Sequence, residues 1–219
     1  MPLKPRPLDR DGGVVRDASL VIIASEDRYA VKQYFDRFRP RRVQFRVLET
    51  LDGRSSPEDV LGRLKDFEKE FDVGPDDEFW LCLDVDHWAD AGHIHNLTRV
   101  QQECKANSYQ VVLSKPCFEL WLLPHFLAVP EDATHTCKSV NDELRRLNSG
   151  FHKTKVSSLI FTPDQVLEAI DRAKRLPGDS SAIPEELATQ VHRILQRLLE
   201  KESIKLEPSP CDKLGKSSS

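Results

Sequence analysis

Short apolar runs alternate with stretches of helical periodicity over the first half of the chain. Four runs have the length and the β-branched or aromatic character of buried strands, and they lie at 20–24, 43–48, 79–83 and 109–113. The segments between them place apolar residues three or four positions apart, as amphipathic helices do. Alternating strands and helices predict an α/β domain whose mainly parallel sheet is flanked by helices.

The second half of the chain has helical spacing only. A short apolar segment at 118–126 follows the last predicted strand, and helices are predicted at 140–147, 163–175 and 184–201. The final residues are rich in Ser, Pro and Lys, which is typical of disorder. The predicted organisation is a flexible arm at 1–18, an α/β domain at 19–127, a helical C-terminal region at 128–202 and a disordered tail at 203–219.

Composition narrows the class of protein. Of 219 residues, 39% are hydrophobic and 31% are charged, which is typical of a globular chain. No window approaches the roughly 18 apolar residues of a membrane span, and the N-terminus lacks the apolar core of a signal peptide. We therefore expect a cytoplasmic protein without a membrane partner. The five cysteines include no Cys-x-x-Cys pair, which argues against a disulfide framework or a cysteine zinc site.

Charge is distributed unevenly along the sequence. Residues 1–48 contain 11 Lys or Arg and 6 Asp or Glu, whereas residues 49–90 contain 4 and 14. The densest basic run consists of Arg37, Arg39, Arg41, Arg42 and Arg46. Guanidinium groups at this density indicate phosphate contacts, and hence nucleic-acid binding. Pairing of the same arginines with the acidic helix at 58–72 is the alternative.

Acidic residues follow the ends of the predicted strands. Glu26 follows the first strand, and Asp84 and Asp86 follow the third. Ligands bind at the carboxyl ends of the strands in an open parallel sheet, so these carboxylates are candidates for one site. Oxygen ligands of this kind suit Mg²⁺ or Mn²⁺. Helix-capping or solvated surface aspartates are the alternative interpretation of the Asp-x-Asp pair.

A longer motif carries a family resemblance. The segment Lys115-Pro-Cys-Phe-Glu-Leu-Trp-Leu-Leu-Pro-His-Phe126, together with the glutamate after the first strand and the Asp-x-Asp after the third, resembles the RloB family. The resemblance covers residues 19–197 and implies a Toprim-like fold with metal-dependent phosphodiester chemistry. It implies that Glu26 acts as a general acid or base, that Asp84 and Asp86 bind metal, and that Glu119 adds a ligand or orders the site.

Two positions depart from the family pattern. Members usually place Gly directly after the first glutamate, whereas this chain has Asp27, whose carboxylate is a candidate replacement ligand. Lys115 stands where Asn is common, and it brings a positive charge beside the predicted metal.

The resulting prediction is a Mg²⁺- or Mn²⁺-dependent nuclease of bacterial antiphage defence that cleaves RNA or DNA. Metal ligands are Glu26, Asp84, Asp86 and Glu119, with the first three catalytic. The predicted nucleic-acid contacts are Arg37, Arg39, Arg41, Arg42, Lys115, Lys153 and Lys155. The resemblance also implies a partner from the same defence locus, such as an ATPase, and self-association. The alternative is a Toprim-like binding module, or a partner subunit of a defence complex, without catalytic activity.

Overall fold

A computed structural model describes residues 4–8, 18–40, 42–50, 53–86, 94–130 and 136–201. Its strands are β1 (Ser19–Ser25), β2 (Val43–Leu48), β3 (Glu78–Asp84), β4 (Gln110–Lys115) and β5 (Ala188–Thr189). They form one sheet in the order β2-β1-β3-β4-β5. The first four strands are mutually parallel, and β5 is antiparallel to β4. The predicted α/β class with a mainly parallel sheet is confirmed.

Within the described residues, six α-helices accompany the sheet: α1 (Ala30–Phe35), α2 (Pro57–Glu70), α3 (Ile94–Ala106), α4 (Cys137–Leu147), α5 (Pro163–Ala173) and α6 (His192–Glu200). The same part of the chain contains two 3₁₀ segments, at Phe118–His125 and Val156–Ser158. Helix α2 begins as its sequence predicts, because the Ser56 hydroxyl accepts the N–H of Asp59 and Pro57 occupies the first turn. None of the described helices combines the length and apolar character needed to cross a bilayer.

Both faces of the sheet are buried. Along β1, Val21 and Ile23 belong to the apolar cluster that contains the 3₁₀ segment and helices α1 and α4–α6. Their neighbours Leu20 and Ile22 belong to the opposite cluster, with α2 and α3. This alternation follows from the two-residue period of a strand. The helical C-terminal region therefore packs on the same sheet as the rest of the chain.

The structure differs from the predicted elements at two places. Residues 184–201 do not form one helix, because residues 188–189 pair with β4 and α6 begins only at His192. The spacing of apolar residues between the first two strands predicts a helix at 27–39, whereas α1 covers only Ala30–Phe35. The Asp27 carboxylate accepts the N–H groups of Tyr29 and Ala30 in the turn that precedes it. A two-residue strand leaves too weak a sequence pattern to be recognised.

The described part of the predicted flexible arm is held against the sheet. Arg6 donates to Asp77, including one bond of 2.8 Å, and also to the carbonyl oxygens of Ala18 and Asp72. The Asp77 side chain is only 1% exposed and accepts the N–H groups of Leu20 and Gly74, each at 2.7 Å. Residues 4–8 are therefore fixed by an ion pair that the sequence did not reveal. Residues 9–17 and the predicted tail lie outside the described residues.

We expect Asp77→Ala to lower the free energy of unfolding by about 2–3 kcal/mol at neutral pH, because it leaves buried donors without an acceptor. Burial raises the pKa of Asp77, but its bonds to Arg6, Leu20 and Gly74 outweigh burial and hold the pKa below its usual value. The stabilisation is therefore complete above the usual aspartate pKa and declines as pH falls through the lowered value. Urea unfolding at several pH values measures the difference, with the exposed neighbour in Asp76→Ala as the control. Equal stability of the two variants would contradict the assignment.

Candidate functional site

The strand order creates a crevice at one edge of the sheet. From β1 the chain passes to β2 on one side and later returns as β3 on the other side. Open α/β sheets bind ligands at such a switch point, outside the carboxyl ends of the strands. Glu26 follows the last residue of β1, and Asp84 is the last residue of β3. The topology therefore brings these two predicted residues to the same crevice.

Hydrogen bonds join three chain segments at this crevice. The Glu26 carboxylate accepts the backbone N–H of Asp84. The Asp84 carboxylate in turn accepts the backbone N–H of Phe118 at 2.8 Å, at the start of the 3₁₀ segment. Glu119 is the next residue along that segment and is 7% exposed. Acidic side chains from the ends of β1 and β3 and from the segment after β4 thus lie around one point.

Burial and nearby negative charge make ionisation of Asp84 and Glu119 unfavourable. Burial raises the pKa of the Asp84 carboxyl well above its usual value, and the negative charges of Glu26 and Glu119 raise it further. Burial also raises the pKa of Glu119, which the positive charge of Lys153 partly opposes. Buried like charges disfavour the ionised form of each group. A cation at the crevice would remove this penalty.

The other two candidate carboxylates are placed differently. Asp86 lies beyond the end of β3 and is exposed. Asp27 uses its carboxylate at the start of α1, where it accepts two backbone N–H groups. It also adds negative charge near Asp84 and Glu119. In the part of the chain that the structure describes, no three Asp, Glu, His or Cys side chains are already grouped as metal ligands.

A polar brace holds the backbone just before Glu26. The Thr50 hydroxyl donates to the Ser25 carbonyl oxygen at 3.0 Å, and Arg63 donates to the same oxygen at 2.7 Å. Arg63 also donates to the Thr50 hydroxyl at 2.6 Å. Helix α2 and the end of β2 thereby fix the turn that presents Glu26. Sequence patterns did not point to this brace, because neither Thr50 nor Arg63 belongs to a motif.

Two cysteine thiols meet beside the carboxylates. Cys117 hydrogen-bonds with Cys137, and this contact, together with burial, raises the pKa of the Cys117 thiol. The Cys117 side chain also hydrogen-bonds with Glu119. Cys137 begins α4, twenty residues further along the chain, so its approach to the site left no signal in the sequence.

Arg37, a predicted phosphate contact, makes its described contacts within the protein. Its guanidinium donates to the backbone carbonyl oxygens of Tyr34, Val156 and Leu159 at 3.0–3.2 Å. It also lies 5.1 Å from the Tyr34 ring centroid and 4.6 Å from that of Phe161. Arg37 therefore fastens α1 to the second 3₁₀ segment, and most of its donors are used within the protein.

Arg42 lies at the opposite edge of the sheet from the carboxylates. The Arg42 carbonyl oxygen accepts the N–H of Ser19, which places Arg42 at the amino end of β1, whereas Glu26 follows its carboxyl end. A seven-residue strand separates these ends by roughly 20 Å. Arg39 is exposed on the approach to β2, and Arg41 lies outside the described residues. Arg42 therefore lies too far from the carboxylates to hold a phosphate at the acidic site, and nucleic-acid binding by Arg42 at its own edge of the sheet stays a prediction.

Two of the lysines predicted to contact nucleic acid, Lys115 and Lys153, lie closer to the acidic residues than Arg42 does. Lys115 is the last residue of β4, at the same edge as the carboxylates. Lys153 is exposed and close enough to Glu119 to oppose the rise in its pKa. Lys155 is exposed two residues further along the same loop. These segments therefore bring positive charge to the part of the molecule that carries the carboxylates.

The fold and crevice define an α/β protein with an acidic site at the switch point of a mainly parallel sheet. Comparison with protein families gives a match to the family of RloB-like proteins over residues 21–198. The chain belongs to this family, as the motif at 115–126 predicted. Neither the curated proteins nor the solved structures yielded a match.

We expect Asp84→Asn to raise the free energy of unfolding by about 1 kcal/mol in EDTA, because it removes one charge from a buried acidic group. The Asn side-chain oxygen can still accept the Phe118 N–H, so the substitution keeps that bond. Urea unfolding measures the change, and Asp86→Asn, at an exposed position, is the matched control. A marked loss of stability in Asp84→Asn would show that the ionised carboxylate stabilises the fold instead.

We expect substitutions of two nearby arginines to differ in their effect on the free energy of unfolding. Arg37→Ala should lower the free energy of unfolding by about 2–3 kcal/mol, since three carbonyl oxygens and two aromatic rings lose their partner. Arg39→Ala should change it by less than about 0.5 kcal/mol, because Arg39 is exposed. Thermal or urea unfolding of both variants checks this, and a stable Arg37→Ala protein would return Arg37 to the candidates for nucleic-acid binding.

Proposed function

We propose that this protein is a Toprim-like, Mg²⁺- or Mn²⁺-dependent nuclease that cleaves phosphodiester bonds of RNA or DNA in bacterial antiphage defence. One observation carries the proposal: Glu26 accepts a hydrogen bond from the backbone of Asp84 at the switch point of the sheet. Chain segments that are 58 residues apart are joined there. The buried Glu119 adds a third acidic group, and membership of the RloB-like family supports the same conclusion.

The donor set fits a hard divalent cation. Glu26, Asp84, Asp86 and Glu119 offer only oxygen atoms, which Mg²⁺ and Mn²⁺ prefer. The raised pKa values of Asp84 and Glu119 record repulsion and burial that a bound cation would relieve. When bound, the ion polarises a phosphoryl oxygen and lowers the pKa of a water molecule. Because the described side chains are not already grouped as ligands, binding would have to draw the carboxylates together.

The residues of the chain have separate roles in this proposal. Asp84 and Asp86 hold the metal, with Glu119 as an additional or ordering ligand. Glu26 accepts or donates a proton at the reacting oxygen, while its position is fixed through the braced carbonyl of Ser25. Lys115, Lys153 and Lys155 contact phosphates at the rim.

A nuclease in a bacterial cell can also attack the nucleic acid of its host. We therefore extend the proposal to restraint by a partner protein of the defence locus, such as an ATPase, or by self-association. Either would keep the site inactive until infection.

A non-catalytic binding module is the second candidate. One observation favours it. The family usually has Gly at the position of Asp27, and here the Asp27 carboxylate accepts two backbone N–H groups at the start of α1. In that case the acidic crevice recognises a cation or a basic partner without hydrolysis. The two candidates predict different products from the same incubation.

The test is cleavage of end-labelled single-stranded RNA, tRNA and plasmid DNA with Mg²⁺, Mn²⁺ or EDTA. We expect cleavage with a divalent ion, none in EDTA, and at least a roughly 100-fold lower rate for Asp84→Asn and Glu26→Gln. Asp66→Asn, on the exposed face of α2, is the matched control and should cleave at the wild-type rate.

Two results would contradict the nuclease. Cleavage that survives both Asp84→Asn and Glu26→Gln would place the active site elsewhere. No cleavage of any substrate, with metal binding that requires Asp84, would favour the binding module.

A further inference from the structure

The loop after Glu26 exposes an arginine and an aromatic ring beside the acidic crevice. Tyr29 is 40% exposed, and the Arg28 guanidinium lies 5.3 Å from the centroid of its ring. The ring of Tyr29 lies outside both apolar clusters. An exposed aromatic ring in contact with an arginine offers two groups that nucleic acid can use, a face on which a base stacks and a charge that attracts phosphate.

The position of this pair is fixed relative to the carboxylates. The Tyr29 N–H donates to the Asp27 carboxylate at 2.6 Å, and the Tyr29 carbonyl oxygen accepts the N–H of Gln33 at 2.9 Å. Asp27 is close enough to Asp84 and Glu119 to raise the pKa of both. The backbone of Tyr29 is therefore bonded to a residue whose carboxylate lies near the acidic group.

A second basic segment is tied to the same surface. The Gln33 side chain donates to the Thr154 carbonyl oxygen at 2.9 Å and accepts the Ser157 N–H at 3.0 Å. These bonds hold the loop that carries Lys153 and Lys155 against α1, the helix that begins directly after Tyr29. Positive charge and an exposed ring thus flank the acidic crevice on one surface, although 124 residues separate Gln33 from Ser157.

We propose that Arg28 and Tyr29, with Lys153 and Lys155, form a binding platform for single-stranded nucleic acid. This inference rests on the proposed nuclease function and names the class of its substrate. An exposed ring stacks on an unpaired base, while lysine and arginine side chains follow the phosphates. The bases of a duplex are already stacked and paired, so Tyr29 has no partner in double-stranded DNA or RNA. The platform would guide a strand so that a phosphate reaches the carboxylates.

The test is binding without cleavage, measured by fluorescence anisotropy in EDTA. The probes are labelled 12-nucleotide oligo(U) and oligo(dT), and a 12-base-pair duplex of each chemistry. We expect wild-type protein to prefer single strands, Tyr29→Ala to weaken their binding about tenfold, and Tyr29→Phe to retain it, because phenylalanine still stacks. Duplex binding should change less than twofold. Arg28→Ala should weaken binding and reduce its salt dependence.

Matched controls separate the platform from general surface effects. Ile160→Ala removes another exposed apolar side chain, and Arg146→Ala removes an exposed arginine of α4; neither should change affinity. Three results would each overturn the platform. Tyr29→Ala could bind single strands as tightly as the wild type, or it could lose equal affinity for single strands and duplexes. The wild-type protein could also show no preference for single strands. If Tyr29→Ala still cleaves nucleic acid at the wild-type rate with a divalent metal, the platform fails but the proposed nuclease function stands. If binding depends on Tyr29 but no substrate is cleaved, only the proposed nuclease function fails.

Discussion

Burial and like charge both oppose ionisation at one edge of this sheet, where Glu26, Asp84 and Glu119 come near one another. Desolvation and mutual repulsion raise the pKa values of Asp84 and Glu119. Folding nevertheless brings them together, because Glu26 and Asp84 accept backbone N–H groups from neighbouring segments. Arrangements that cost stability are often maintained for function. The cation that we propose would reconcile these acidic groups with their burial.

The surroundings of the cluster fix it in place from several directions. Thr50 and Arg63 hold the carbonyl oxygen that precedes Glu26, and the 3₁₀ segment places Phe118 and Glu119 against Asp84. Arg37 and Gln33 join α1 to the loop at 152–158. The crevice is consequently bounded by elements from both halves of the chain. The C-terminal region contributes to the site as well as to the core.

Sequence reasoning succeeded where a strong local pattern determines the outcome. Buried apolar runs located the four parallel strands, and the rule for open sheets then placed Glu26 and Asp84 at one edge. It failed where the outcome depends on contacts between distant segments. The contacts of Arg37, the pairing of residues 188–189 with β4, and the approach of Cys137 to Cys117 follow from packing, which charge and periodicity do not encode. The anchoring of Arg6 by Asp77 was missed for the same reason.

The most direct measurement of the central claim is a crystal structure with bound Mn²⁺, located by its anomalous scattering. The account predicts a single peak within coordination distance of Asp84, bordered by Glu26 and Glu119, at the carboxyl ends of β1 and β3. A peak remote from this edge, or a crevice that stays without manganese while its carboxylates are ordered, would contradict it.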